Sequence, residues 1–498
     1  MHALIALIAI LCADVKASDA LLDDPGFRAV REFADIMLQS GRDDYGPKKS
    51  PLFAAQLNVK TRRIPEGTEQ DPGVWNTHFE VAGHQPYCQN LIADLGLLDL
   101  LQALTRATGD TKYEQARKDY LAYVLKQTRD PRSGYIPWGE HVGYDIVHDA
   151  VHVGEKKYWH EVKAYNVPWD QLWEADADAT RHEIETAFHN HLCDEASFAF
   201  NRHATMDGKL NTGTEPCSLL SSAGLYMDAW SWLYKKTGER QFLDWAEKMR
   251  AMAAARRMPE TGLIPTDESI RKEKMVYAEA VSYAPYLFIA ADILGGEGAA
   301  FRQEGLDYLL AYDKHAFVPQ RDDGQGPGYY DAINTRTGEP LQMDNKRYLE
   351  AWQWTDNHAH VIAVLAGMAA GYAYTGDERL LPLVDRALSA AAIPGNIAKG
   401  TVMLSADAGG AIMSLVHVAK RSGDRKYLDA VRPLVGYVLE HNRANGCFIS
   451  GKAGSEDYYC GRAGSGYLAA AVLAFALAEH GRMDLVPPLR DIEGGLRF

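Results

Sequence analysis

Thr108-Gly109-Asp110-Thr111-Lys112-Tyr113 recurs along the chain with small changes. Its echoes are Thr237-Gly238-Glu239-Arg240-Gln241-Phe242, Thr375-Gly376-Asp377-Glu378-Arg379-Leu380 and Ser422-Gly423-Asp424-Arg425-Lys426-Tyr427. An apolar helical pattern precedes each copy and an amphipathic one follows it. Glycine supplies the left-handed residue that ends a helix, and the acid suits the positive end of the next helix. The phrase is therefore a helical-hairpin turn, and its repetition points to an array of hairpins.

Outward from these turns, the apolar periodicity predicts helices over 89–105, 112–126, 218–235, 242–255, 276–294 and 299–312. It continues over 357–374, 380–391, 407–420, 427–440 and 466–480, with a further helix over 177–191. The first helix of a pair is richer in Ala, Gly and Leu, as an inner helix would be, and the second carries more charge. Strand signals are few: 55–59, 134–138 and 144–153 read as small sheets in the loops. No Pro- or Ser-rich linker divides the chain. The expected fold is all-α: a single α/α toroid (barrel) of about six or seven helical hairpins over residues 18–498, with small β-strand insertions. Two packed helical halves meeting near 260–275 are the alternative.

Composition sets the limits. Of 498 residues, 47% are hydrophobic, ample for a buried core. No internal run of about 20 apolar residues suggests a membrane span. There are 52 basic and 67 acidic residues, a net charge of −15. That balance argues against non-specific nucleic-acid binding, and an acidic substrate would need a local basic lining. The apolar run from Ala3 to Ala13 resembles the core of a signal peptide cut after Ala17, which predicts export to the periplasm or beyond. Removing Cys12 with it leaves five of six cysteines. Cys447 and Cys460, flanking a Gly-rich loop, are the pair best placed for a bridge, and the other three read as buried thiols.

Chemistry-bearing residues concentrate between Trp138 and His203. Trp138-Gly139-Glu140-His141 opens the stretch, Trp159-His160-Glu161-Val162-Lys163 lies within it, and Asn201-Arg202-His203 closes it. His141, Glu161 and His203 are 20 and 42 residues apart, so they come from three separate elements. Two imidazoles and a carboxylate suit Mn²⁺, Ni²⁺, Zn²⁺ or Fe²⁺ better than Ca²⁺. With 17 histidines in the chain, spacing alone is a weak signal.

The ordered set Trp-Gly-Glu-His, His-Glu-x-Lys and Asn-Arg-His resembles the pectate lyases of polysaccharide lyase family 2. The resemblance covers about seventy residues. It implies an α/α toroid that cuts polygalacturonate by β-elimination with a divalent metal, manganese first, with nickel, zinc or calcium as alternatives. By position it implies His141, Glu161 and His203 as metal ligands and Arg202 as the base. The expected partner is an acidic polysaccharide or oligogalacturonide.

The chemistry is consistent with that. The C5 proton of a 4-linked uronate is weakly acidic, and its removal needs a cation on the carboxylate and a base in reach. Arginine is an awkward base, with a pKa above about 12. In the rival role Arg202 clamps the carboxylate while His160, His182 or Lys163 takes the proton.

Lys163 and the run Arg271-Lys272-Glu273-Lys274 could line the cleft, Lys274 included, although a solvated loop accounts for that run as well. Trp138, Tyr144 and Trp169 could be sugar-stacking platforms or core residues. His84-Gln85 has no motif behind it. At most one of His358 and His360 faces the cleft, since they are two apart on a predicted helix. The run Thr180-Arg181-His182-Glu183 reads as helix surface, while Asn190, His191 and Asp194 read as anchors of the loop leading to Arg202.

Two other classes remain open. A glycoside or unsaturated-uronyl hydrolase would need carboxylates, for which Asp145, Asp176, Asp356 and Glu279 are available. A non-catalytic sugar-binding toroid would keep the aromatics without needing Arg202 beside a metal set.

Overall fold

The computed structural model describes residues 19–65, 87–139, 142–153, 159–162, 166–205, 219–266, 275–342, 346–352, 360–393, 403–451 and 457–490. The helices are α1 (Asp19–Asp23), α2 (Pro25–Ser40), α3 (Leu91–Thr108), α4 (Thr111–Gln127), α5 (Trp169–Ala175), α6 (Ala177–His182), α7 (Leu220–Thr237) and α8 (Arg240–Ala254). They continue as α9 (Tyr283–Leu294), α10 (Ala299–Ala316), α11 (Val361–Thr375), α12 (Leu381–Ala390), α13 (Ser405–Ser422), α14 (Lys426–His441) and α15 (Ser465–Glu479).

The repeated turn works as its sequence implies, and does more. Gly109, Gly238, Gly376 and Gly423 all have φ between +62 and +77°. The hydroxyl that precedes each glycine fastens the corner as well. Thr108 Oγ1 donates to the Leu104 carbonyl at 2.7 Å and accepts from Asp110 N at 3.1 Å. Thr237, Thr375 and Ser422 repeat both bonds.

Helices α3, α7, α9, α11, α13 and α15 pack side by side as an inner wall, backed by α4, α8, α10, α12, α14 and α2. The inner helices are buried almost all round; every residue of α15 from Ser465 to Ala478 is buried. Close approach between inner helices needs small residues. A Cβ at Gly96 of α3 would lie 2.6 Å from the backbone of Tyr467 on α15.

The short pair α5/α6 fills the gap between α3 and α7. Gln171 reaches Gln102 of α3 at 3.5 Å, and the Trp169 indole N–H donates to Asp228 Oδ2 of α7 at 3.1 Å. The ring is thus an α/α toroid, with seven hairpins among the described residues, one of them made from α2 and α15. Hairpins on both sides of 260–275 belong to this one ring, and a strand at Met275–Tyr277 pairs with Ala332–Asn334 across the next loop.

The two ends of the ring differ. Inner-to-outer connections are tight turns. All strands among the described residues lie in the long outer-to-inner connections at the other end.

Several expectations are corrected. The helix predicted over 276–294 begins only at Tyr283, after a strand and a 3-10 turn, Ala278–Ser282. Pro285 sits in its first turn, where a missing N–H is tolerated. The strand predicted over 144–153 is a hairpin, Val142–Asp145 with Ala150–Val153. Asp145 Oδ1 accepts from the Val147 and His148 amides and so makes the turn. Residues 134–138 form no strand. The 177–191 helix is α6 followed by a π-helical turn, Glu183–Ala187, and a 3-10 turn, His189–His191. No disulfide joins Cys447 and Cys460, which sit in different two-stranded sheets. The apolar segment 1–17 lies outside the described residues. No helix among the described residues is long and apolar enough to cross a membrane.

Burial pushes the Asp228 carboxyl up from 3.8 to about 7, because the indole bond only partly offsets lost hydration. The folded chain therefore holds a proton that the unfolded chain releases, and stability falls as pH rises from about 4 to about 7. In Asp228→Asn, that part of the pH slope should vanish from denaturation curves, while the neutral amide keeps an acceptor for Trp169.

Candidate active site

The site is built on two short strands in the connections before α5 and α7. Trp159–Glu161 pairs antiparallel with His203–Thr205, with Glu161 directly opposite His203. Residues opposed in this way project from the same face. The Glu161 carboxylate has a fully buried side chain, with His203 Nε2 at 3.4 Å and Arg202 Nε at 3.7 Å from its Oε1. The Arg202 side chain keeps 31% of its surface exposed, so it faces the open side of this cluster. Val162 N donates to the Arg202 carbonyl at 2.8 Å, and Ser222 in the first turn of α7 donates to the Val162 carbonyl at 2.7 Å. The strand pair is thereby fixed to the inner wall.

His141 lies outside the described residues, but its approaches are defined. Gly139, at φ +87°, passes so close to Glu161 that a Cβ there would meet the Glu161 Cβ at 2.8 Å. Asn90, the N-cap of α3, donates through Nδ2 to the Gly139 carbonyl at 2.7 Å and the Val142 carbonyl at 3.1 Å. One side chain thus ties Gly139, which lies beside Glu161, to Val142.

Strand alternation sends His160 the other way, into the core. Its Nε2 lies 2.5 Å from Glu183 Oε1, and its Nδ1 lies 2.8 Å from His191 Nε2. His191 Nδ1 faces the Asn201 carbonyl at 2.9 Å. A carbonyl only accepts, so His191 carries its proton on Nδ1 and accepts through Nε2. His160 must then donate through Nδ1. Burial drives His191 well below the usual imidazole range, with His160 beside it adding to the effect, so it stays neutral. Glu183 Oε2 also takes the Ile136 amide at 3.0 Å. This buried line runs from the loop before Trp138 to the residue before Arg202.

Other expected residues are placed differently. Trp138 and Tyr144 are 2% and 3% exposed, which corrects their reading as sugar platforms. Trp138 packs against Trp169 and Phe188 and directs its indole N–H at His160, and Tyr144 meets Tyr123 edge-on. Trp169 is core as well. Glu183, read as helix surface, is fully buried. It falls in line with buried Ala179 and Thr180 of α6, four and three residues back, and its charge hid that direction in the sequence. His191 does anchor the loop to Arg202, and Asn201 N returns a bond to the His191 carbonyl at 3.0 Å. Asn90 was missed, although an Asn directly before an apolar helix is a capping signal. Of the three other bases considered, His160 is enclosed, His182 bonds the Ser133 carbonyl at 2.8 Å, and Lys163 is not among the described residues. Lys163, Lys274 and the rest of the 271–274 run, His84, Gln85, Asp356 and His358 lie outside the described residues. Of the hydrolase acids, Asp145 makes its own turn, and Asp176 caps α6 through Ala179 N at 2.9 Å.

Among the described residues, no group of three His, Cys, Asp or Glu side chains could hold a metal ion. The two described donors fit one nonetheless. Ligands about 2.1 Å from one ion and roughly 90–110° apart are separated by roughly 3.0–3.4 Å, the spacing of His203 Nε2 and Glu161 Oε1.

The profile of the family described as periplasmic pectate lyase matches residues 50–276. A pectate disaccharide-lyase of Dickeya dadantii (strain 3937) is 26% identical over 191 residues, 38% of this chain and 33% of that protein. The matched stretch thus spans a third of the relative's length. A solved unsaturated glucuronyl hydrolase specific for heparin has TM-score 0.46 and 13% identity, covering 93% of this chain and 99% of its own. An α-1,6-mannanase of Salegentibacter sp. has TM-score 0.44 and 12% identity, covering 92% and 99%. The chain resembles the polysaccharide lyase family 2 pectate lyases over a stretch that includes Glu161, Arg202, His203 and the Asn90 cap.

In Glu183→Ala the Ile136 amide loses its buried acceptor and the His160 ring its buried partner, and stability should fall by at least about 2 kcal/mol in chemical denaturation. Glu183→Gln, which keeps an acceptor oxygen, should recover part of that loss.

Proposed function

We propose that this chain is an exported pectate lyase that cuts 4-linked polygalacturonate by β-elimination, acting in the periplasm or outside the cell. The observation that carries this reading is Glu161 set opposite His203 on paired strands, with Arg202 beside them and inside the matched stretch. His141, Glu161 and His203 would hold a divalent ion, manganese first. Bound there, the ion would neutralise charge gathering on the uronate carboxylate as C5 loses its proton.

Arg202 is the group on the exposed side that can approach C5. With Glu161 and His203 holding such an ion, a second positive charge on the Arg202 guanidinium would be disfavoured, which would favour the neutral form that can accept a proton. The C5 proton passes to Arg202, electrons form the C4–C5 double bond, and the C4–O bond to the leaving chain breaks. The buried Glu183–His160–His191 line keeps Arg202 and His203 in register with Glu161, so less ordering is needed when substrate binds. Lys163 and Lys274 would meet the negative charge of neighbouring uronates.

The test is the ultraviolet absorbance of the unsaturated product on polygalacturonate. Chelation with EDTA should abolish it, Mn²⁺ should restore it, and His203→Ala should not respond to Mn²⁺. New reducing ends without unsaturation would instead mark a hydrolase.

Arg202→Ala should lower kcat by roughly 10²–10⁴-fold, the usual worth of a positioned base, with a smaller change in KM. A change confined to KM would make Arg202 a carboxylate clamp.

A further inference from the structure

Away from this site, on the same end of the ring, the connection between α10 and α11 and the end of α12 enclose a cavity of about 810 Å³. That volume suits a small ligand. Three cations, Arg321, Lys346 and Arg347, line it together with three carboxylates, Asp322, Asp323 and Glu350. Arg321 pairs with Asp323, and Arg347 pairs with Asp322. Lys346 lies 3.7 Å from Glu350. The lining is thus balanced in charge, unlike a polyanion groove or an apolar pocket.

Arg321 Nε and Glu350 Oε2 are covered by protein, so a ligand in the cavity meets the outer ends of these side chains. The Arg321 side chain is held in place. It lies against Gly328, where a Cβ would meet its Cδ at 2.7 Å, and over the Tyr348 ring at 4.5 Å. Trp352 supplies a partly exposed aromatic surface, and its indole N–H is fixed to the Ala391 carbonyl at 2.7 Å. The next residue, Ala392, also lines the cavity and holds φ at +53°, a conformation that costs a non-glycine residue energy.

We propose that this cavity is a second, non-catalytic saccharide-binding site, which recognises a sugar through its hydroxyl groups rather than through a carboxylate. Sugar hydroxyls both donate and accept, so they can meet the paired cations and carboxylates of this lining together, while a C–H face of the ring rests on Trp352. The site lies three hairpins around the ring from Glu161. The inference does not depend on the lyase reading.

Isothermal titration of the full chain in EDTA tests it, with two probes of equal length: a neutral 4-linked galactotetraose and a tetragalacturonate. The neutral probe should bind, with an affinity little changed by added salt. Trp352→Ala and Glu350→Gln should each weaken it roughly tenfold or more, and Trp352→Phe should retain most of it. Trp352→Phe and Glu350→Gln decide the matter if Trp352→Ala does not fold. No binding of the neutral probe, or binding indifferent to these variants, would overturn the proposal. So would Trp352-dependent binding of tetragalacturonate alone that salt abolishes, since that describes an anion site. Product absorbance is measured separately, so failure of the lyase reading would leave this result intact.

Discussion

Glu183, a carboxylate with no exposed surface, holds the candidate site together from behind. It binds the amide of Ile136 ahead of the Trp138 loop and the ring of His160 on the central strand. Through His191 the same line reaches the carbonyl of Asn201. Each member is buried, and from His160 through His191 to Asn201 the bonds have one workable direction, so the three segments have little freedom to slide. Strand alternation turns this rigidity outward: with His160 fixed inward, Glu161 faces the opposite side, where His203 and Arg202 meet it.

The toroid supplies the second constraint. Its inner helices are buried almost all round and in places approach within the reach of a single Cβ. That leaves little room for functional side chains within the wall. The tight turns at one end carry no strands among the described residues, while the long connections at the other carry the strands, the candidate site and the cavity beside Trp352. A rigid wall with variable loops at one rim lets chemistry change without repacking the core.

The sequence made the helical array legible because the Thr-Gly-acid turn is local and repeats. Helix ends followed to within a few residues wherever such a turn marked them. The errors fell where local pattern and local geometry part company. Pro285 let a helix start late, Asp145 folded one apparent strand into a hairpin, and the charge of Glu183 suggested surface although it falls on the buried side of α6. Glu161, Arg202 and His203 stood out through motif order, but not their registration across paired strands, because strand pairing is a long-range choice. Trp138 and Tyr144 looked like binding aromatics because residue type does not reveal burial. Asn90 was overlooked because its cap is local, whereas its bonds to Gly139 and Val142 join residues about fifty positions away.

The pairing of α2 with α15 gives the ring a clasp. Residues 25–40 can form a helix early, but their apolar face has no wall to lie on until residues 465–479 arrive. A chain emerging from a ribosome can stack its middle hairpins in order, yet it cannot close the circle until residues 465–479 are available. Such high sequence separation slows the closing step and keeps the ring open until that helix arrives. The same clasp means that nicking a rim loop leaves the ring closed, whereas trimming either of these two helices opens it.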